Sequence, residues 1–544
     1  MNYYTHKHSF GDAKGIARGA DQDVVQFRGI PYAHFPARFR QSTLANDFAS
    51  ATYDATNLGP ECPQLLLPYP AFWDEAAPPD VPNTPSPLQD EFKCLNLSVT
   101  VPKSALEGQK KDLPVLLFIH GGGFMGGSHI VKVAGREIYD PTNLVRASIG
   151  LKKPIIVVTI NYRVGILGFA SCKELKEFNA ANDEPFGNYG LHDQRQALDW
   201  VEKYIGAFGG DHDKVTIYGT SAGGASCHYQ CVSKERKFKR AILSSGTLIG
   251  IGPVAVETLQ SNFEDVAGRL GYKAEDGGIV KFVQSKPVEE LLPCAPANSG
   301  GAARPTIDGD WTTGHELERL PSVSNPPDIM VGSCVYEQEL TDMMIGGRDP
   351  NDKQTIQEKL EVAKLVLASN GLLKTTNFFL NPTLLAAYNI DTSSKTPETN
   401  AISHKGLAEL LADFLFRASA VQTALKYPGD AFLYDFQSTN PFLGARQSYK
   451  QANHGVNDLF VFNVAEDQVP AEDRANWAAS AKQTQELWIR FVNGEKPWGA
   501  IDAGKKGPAF TFADGAKGGE KETIKLAVGD EHWKRWDMIL NLDG

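Results

Sequence analysis

The chain has 544 residues, 42% of them hydrophobic and 22% charged, and 54 Lys and Arg against 65 Asp and Glu leave a formal net charge of −11. That composition excludes a disordered chain, and the acidic balance argues against a nucleic-acid binder, which needs clustered positive charge to displace counterions. No apolar run approaches the roughly 20 residues that cross a bilayer, the longest being Leu113–Ile119.

The N-terminal Met1-Asn-Tyr-Tyr-Thr-His-Lys-His carries no apolar stretch resembling a secretory signal, and Asn96-Leu97-Ser98 is the only N-glycosylation sequon. Both point to a cytoplasmic protein; a secreted chain whose leader has been removed is the alternative. Residues Leu65 to Gln89 contain seven prolines and read as a surface loop. Apolar runs rich in β-branched residues then recur: Leu113–Ile119, Pro154–Ile160, Val215–Tyr218, Ala241–Ser244, Asp328–Val331 and Ala431–Tyr434. Runs of this kind suit strands covered on both faces. Leu191, Leu198, Val201, Ile205 and Phe208 recur at helical spacing between the second and third runs, so a helix crosses over there. Strand, helix, strand in that order predicts an α/β protein with a mostly parallel sheet flanked by helices. Residues 251–325 and 345–430 read as mainly helical insertions covering one end of the sheet, with Leu407, Leu410, Leu411 and Phe414 at helical spacing. No flexible linker or charge run divides the chain, which predicts a single domain over residues 1–544. Seven cysteines are too few for a disulfide scaffold in a chain this long. Cys227 and Cys231 lie four apart on a predicted helix and read as small buried apolar residues rather than half of a metal site.

Gly219-Thr220-Ser221-Ala222-Gly223 follows a predicted strand and opens a predicted helix. A serine on so sharp a turn needs small neighbours two residues to either side, and the two glycines meet that need. His120-Gly121-Gly122-Gly123-Phe124 follows another strand, and consecutive glycines let backbone N–H groups converge on one oxygen, with the Ala222 N–H completing the set. A serine nucleophile needs a base, and the base an orienting carboxylate. Of the late histidines, His404 reads as an exposed position before a helix, while His454 sits in a loop beside Gly455 and is the predicted base. Glu337 lies just past the strand Asp328–Val331, where such an acid belongs, and Glu339 is its rival.

Together these residues resemble the type-B carboxylesterase/lipase family, which includes the cholinesterases. The likeness is dense over about the first 250 residues: Phe27-Arg-Gly-Ile-Pro-Tyr-Ala, Asn161-Tyr-Arg-Val-Gly-Ile-Leu-Gly-Phe, and the run from Gly187 to Trp200 followed by Phe208-Gly-Gly-Asp. The resemblance implies an α/β-hydrolase fold and a Ser–Glu–His triad acting on small-molecule esters without a metal or organic cofactor. It settles the acid as Glu337, five residues after Gly332, supports His454 as base, and maps the oxyanion donors to Gly122, Gly123 and Ala222. It also pairs Cys62 with Cys94 in a disulfide around the Pro-rich loop, which would contribute about 3–4 kcal/mol by the loop-entropy argument and pulls against a reducing compartment. Acyl transfer through the same triad is an alternative reaction. Some members have lost the triad and act in adhesion, whereas all three members persist here. Several positions depart from the family pattern. Thr220 replaces the usual Glu before the nucleophile, and Phe92-Lys93 replace the acidic pair before Cys94, which predicts that Arg38 loses its buried carboxylate. Asn457 replaces a Glu three past the histidine with Asp458 beside it, and Gln338 stands where Gly is common. The polar network around Ser245 must therefore be rewired. Thr84 stands where cholinesterases carry a tryptophan, and Trp73 is misplaced for that role, so choline preference is not expected.

Overall fold

The computed structural model describes residues 2–8, 11–46, 52–65, 88–109, 111–133, 135–295, 304–309, 312, 320–347, 354–368, 381–393, 396–442, 448–501 and 507–540. Most of the Pro-rich stretch, with Trp73 and Thr84, lies outside them.

One 13-stranded sheet runs through the described residues. Its strands are β1 (Asn2–His8), β2 (Gly11–Arg18), β3 (Val24–Pro31), β4 (Asn96–Pro102), β5 (Leu113–Ile119), β6 (Ile156–Ile160), β7 (Gly210–Thr220), β8 (Arg240–Ser244), β9 (Asp328–Cys334), β10 (Ala431–Phe436), β11 (Ala509–Phe512) and β12 (Gly519–Lys521), with Thr52–Asp54 beside β2. In space they run β1-β2-β3-β4-β6-β5-β7-β8-β9-β10-β11-β12. From β6 to β11 every neighbouring pair is parallel, and the flanking strands are antiparallel. Each apolar run named above forms a parallel strand, except that Pro154 and Ile155 precede the start of β6 at Ile156.

Successive side chains of a strand point to opposite faces, and here both faces are dry. In β5, Val115, Leu117 and Ile119 join one core cluster while Leu116 and Phe118 join the other. Helix α1 (Thr142–Gly150) and the long α7 (Arg474–Val492) cover the second face through Leu144, Val145, Trp488 and Phe491. The predicted crossover is α2 (Tyr189–Tyr204), continued by a 3-10 turn to Phe208, and it packs Leu191, Leu198, Val201 and Ile205 on the first face. The insertions are mainly helical where described, including α4 (Pro397–Ala412), a π-helical turn Asp413–Arg417 and α5 (Ala418–Lys426). Cys227 and Cys231 are buried on α3 (Ala222–Val232).

Several sequence expectations change. Arg38 keeps a buried carboxylate: its guanidinium grips both oxygens of Glu91 at 2.7 Å, the acid having moved one residue upstream of the position read for it. Planar two-point pairing of this kind is the strong form of the ion pair. Cys62 and Cys94 are both buried and stand as free thiols, so the bridge implied by the resemblance is not formed here. The two do neighbour each other, since a hydrogen bond to Cys62, together with burial, pushes the Cys94 thiol upward. Asn96 lies buried in β4 and donates to the carbonyls of Pro60, Lys93 and Cys94. No helix among the described residues is long and apolar enough to cross a membrane.

Candidate active site

The site lies where the parallel strands end. Ser221 follows β7 directly and holds φ 62°, ψ −128°, a backbone region an L-residue enters only under constraint. The constraint is visible on every side. The Ser221 N–H donates to the carbonyl of Ser244 at the end of β8 (2.9 Å), and α3 begins at the next residue. A Cβ added to Gly219 would fall 2.3 Å from the Gly223 carbonyl carbon, and one added to Gly223 would fall 2.1 Å from the Ile119 carbonyl oxygen. The two glycines flanking the serine therefore let the chain double back, as the sequence predicts.

The His120–Phe124 loop lies against this turn: a Cβ on Gly121 would stand 3.1 Å from that of Ser221. Each carbonyl of the loop accepts a hydrogen bond. Tyr162 Oη donates to His120 O (3.0 Å), His120 Nδ1 donates to Gly121 O (2.8 Å), and the Met125 and Gly126 N–H groups donate to Gly122 O (3.0 and 3.2 Å). Arg304 Nη1 donates to Gly123 O (3.1 Å), and the Gly165 N–H to Phe124 O (2.7 Å). In a trans peptide the N–H points opposite the C=O. Holding Gly121 O therefore aims the Gly122 N–H, and holding Gly122 O aims the Gly123 N–H. Burial pushes the His120 imidazole down to about 4, so it is neutral at physiological pH and carries its proton on Nδ1, facing the carbonyl that needs it. Its ring stacks on Tyr162 at 4.3 Å. Replacing His120 by phenylalanine keeps the stacking and removes the donor. We expect kcat to fall about 10–100-fold with KM nearly unchanged, somewhat less than the loss of a whole oxyanion donor, as measured by steady-state kinetics on a p-nitrophenyl ester.

Glu337 and His454 come together from chain segments 117 residues apart: Glu337 Oε2 accepts from His454 Nδ1 at 2.5 Å. A bridge between Tyr336 and Asn453, each one residue earlier, sets the two segments side by side. The Cys334 N–H occupies the other carboxylate oxygen at 3.0 Å, and the Phe416 ring packs against the imidazole at 4.9 Å. Burial, the largest single influence, pushes the His454 pKa down; the Glu337 carboxylate, joined by Asp458 and Glu339, more than offsets it, and the net shift is upward. The rivals are engaged elsewhere. Glu339 accepts from Ser448 Oγ, and His404 is half-buried within α4, where its Nε2 bonds Asp342 (2.6 Å), rather than exposed before a helix.

The Ser221 hydroxyl makes no hydrogen bond to His454 among the described residues. What joins the two segments is the polar network left open by the departures from the family pattern. Thr220 Oγ1 donates to Asp458 Oδ1 (2.7 Å), Tyr218 Oη donates to the same oxygen, and Asn457 Nδ2 reaches Tyr218 Oη (3.2 Å) and Ser244 Oγ (3.3 Å). Ser245 Oγ accepts from the Cys334 N–H at 3.3 Å. Residue 220, beside the nucleophile, is thus tied to α6 (Val456–Phe462), which follows the base. Burial pushes Asp458 up to about 6 despite these donors. Sequence reading flagged Thr220, Asn457 and Asp458 as departures but missed that they bond one another; replacement of both acidic positions in one chain is the signal that could have found it.

A family model described as the carboxylesterase family matches residues 5–518. This chain belongs to the carboxylesterase family. It is 29% identical to the pyrethroid hydrolase Ces2a of Mus musculus over 81% of this chain and 74% of that protein, and 29% identical to the cholinesterase of Mus musculus over 90% and 78%. It is also 29% identical to neuroligin-2 of Homo sapiens over 90% of its own length, and spans 60% of that protein. Among solved structures it superposes on a PNB esterase with a TM-score of 0.72 at 21% identity, covering 98% of this chain and 100% of that one. The fold of this carboxylesterase-family chain is the α/β-hydrolase fold, with its large, mostly parallel sheet covered by helices on both faces.

Proposed function

We propose that this carboxylesterase-family protein hydrolyses carboxylic esters of small molecules, with Ser221 as nucleophile, His454 as general base and acid, and Glu337 as the carboxylate that orients it. The observation that carries the reading is the Glu337–His454 hydrogen bond, with Glu337 fully buried, held on the same strand-end rim as the strained Ser221 turn. His454 Nε2 takes the Ser221 proton as Oγ bonds to the ester carbonyl carbon, and the resulting oxyanion is met by the N–H groups of Gly122, Gly123 and Ala222. The Nε2 proton then passes to the departing alkoxide, leaving an acyl-serine and a free alcohol. Water, deprotonated by the same imidazole, attacks the acyl carbon; the carboxylic acid leaves and the hydroxyl is restored. Glu337 holds the imidazole through Nδ1 and stabilises the transient imidazolium. Hydroxyl–imidazole contacts of this kind are often long in ligand-free enzymes and tighten with substrate bound.

A fluorophosphonate probe tests the assignment. One adduct per chain is expected, and mass spectrometry should place it on the peptide containing Ser221; an unlabelled protein, or an adduct on another residue, would overturn the reading. A chain-length series of p-nitrophenyl esters then measures the acyl group the site prefers.

A further inference from the structure

Arg304 lies outside the triad, and neither the sequence motifs nor the rewired network points to it. Its side chain is buried, 6% exposed, and its backbone neighbourhood is pinned from two sides. The Val254 N–H donates to Pro305 O and the Ile307 N–H to Val254 O, both at 2.9 Å, while Asn188 exchanges hydrogen bonds with the Thr306 backbone (2.8 and 3.0 Å). The guanidinium is therefore held in place before any substrate arrives, with Nη1 on the Gly123 carbonyl at 3.1 Å.

Two features set this contact apart from the other anchors of the loop. First, Gly123 has φ +63°, and with Gly122 O held by Met125 and Gly126 and Gly123 O held by Arg304, both peptide planes around its Cα are fixed. Its N–H then has no freedom to swing out of line. Second, the donors to the carbonyls of His120, Gly121, Gly122 and Phe124 are a phenol, a neutral imidazole and backbone amides, whereas the donor to Gly123 is a cation. Orientation alone needs only a neutral donor. A positive charge kept in a low-dielectric site costs desolvation, and here burial pulls the guanidinium down to about 10, which still leaves it charged at neutral pH. What a cation adds is a field acting on the negative charge that develops during reaction.

We propose that Arg304 is a positioning residue of the oxyanion hole, fixing the Gly123 unit through its carbonyl and stabilising the tetrahedral oxyanion with its buried charge. The inference rests on the Ser221–Glu337–His454 reading above. Covalent geometry places Nη1 within about 7 Å of the Gly123 N–H. The oxyanion accepting from that N–H lies about 3 Å further on, and at an effective dielectric of about 20 a unit charge about 10 Å away is worth about a 10–30-fold change in rate.

The test compares R304Q, which keeps an N–H donor without charge, with R304K, which keeps the charge, in the full-length protein. Steady-state kinetics on p-nitrophenyl acetate are read beside the inhibition constants of a trifluoromethyl ketone, which becomes an anionic hemiketal on the serine, and of its neutral trifluoromethyl carbinol. For R304Q we expect kcat lowered about 10–30-fold, KM within about twofold, ketone binding weakened by the same factor as kcat, and carbinol binding unchanged. R304K should recover to within about threefold of wild type. Wild-type kcat and ketone affinity in R304Q would overturn the proposal. So would equal losses in both variants with ketone and carbinol weakened alike, since that pattern marks packing alone. Failure of the two readings separates cleanly: a wild type that fluorophosphonate leaves unlabelled at Ser221 overturns the triad, whereas a labelled wild type matched by R304Q overturns only the role of Arg304.

Discussion

Replacing Ser221 by alanine is expected to lower kcat by about 10⁶ and to abolish fluorophosphonate labelling, with the folded structure unchanged. The magnitude follows from removing the atom proposed to bond to substrate: in serine hydrolases the loss of the nucleophile alone costs nearly as much as the loss of the whole triad, because its partners then have nothing to act on. A residual rate about 10³–10⁴ above water is expected from the backbone donors. Alanine is the suitable replacement on conformational grounds. The strained φ 62° falls on the backbone and is imposed by the Ser244 contact and the close approach of Gly246, whose Cβ would sit 1.9 Å from the Ser221 carbonyl oxygen; alanine bears the same strain as serine. Circular dichroism and the melting midpoint should therefore match wild type while single-turnover kinetics show no acyl-enzyme. A variant keeping more than a few per cent of kcat would assign the nucleophile elsewhere.

The second large effect is expected from Glu337→Gln, with kcat lowered by about 10⁴. Glutamine nearly preserves the volume and still offers an oxygen to the Cys334 N–H, so packing is retained. The amide, however, either presents an N–H to Nδ1 and forces the proton onto Nε2, where it blocks the base, or presents its oxygen without the charge that supports the imidazolium. The pH profile separates this loss from general damage. In its proposed role His454 acts as base only when neutral, so activity is expected to fall as pH drops through its pKa. In the wild type that pKa is raised above the ordinary imidazole value because the Glu337 carboxylate, with smaller contributions from Asp458 and Glu339, more than offsets burial. With the carboxylate neutralised, burial dominates, and the acid limb of kcat/KM should move to lower pH even as the plateau drops. An acid limb that stays in place, or moves upward, would mean that another group sets it.

The parallel strands and the Ser221 turn were legible because their signals are local. A dry strand demands an apolar run, and a serine on a sharp turn demands glycines two residues away. The antiparallel β1 was not readable, because Asn2–His8 is a largely exposed edge strand with no apolar run to mark it. His454 could be chosen over His404 by its loop and glycine, yet Glu337 and Glu339 stayed equivalent until the family likeness entered. Their separation depends on which carboxylate the Tyr336–Asn453 bridge brings to the imidazole. Arg38 shows the limit of reading motifs by position: the acid expected at Phe92 or Lys93 is supplied by Glu91, and side-chain direction after a turn decides which residue reaches the guanidinium. Arg304 and Gly123 are 181 residues apart, and no periodicity or spacing connects them.

The clasp between Thr220 and Asp458 spans 238 residues and couples the bend that displays the hydroxyl to the segment that carries the imidazole. Both sides of that clasp belong to the strand-end rim, whereas the helical insertions contribute almost no pairing to the sheet. The protein is in this sense modular: a library randomising the insertions has room to change what is accepted, provided it spares Arg304 and Phe416, the insertion residues that reach the Gly123 carbonyl and the His454 ring.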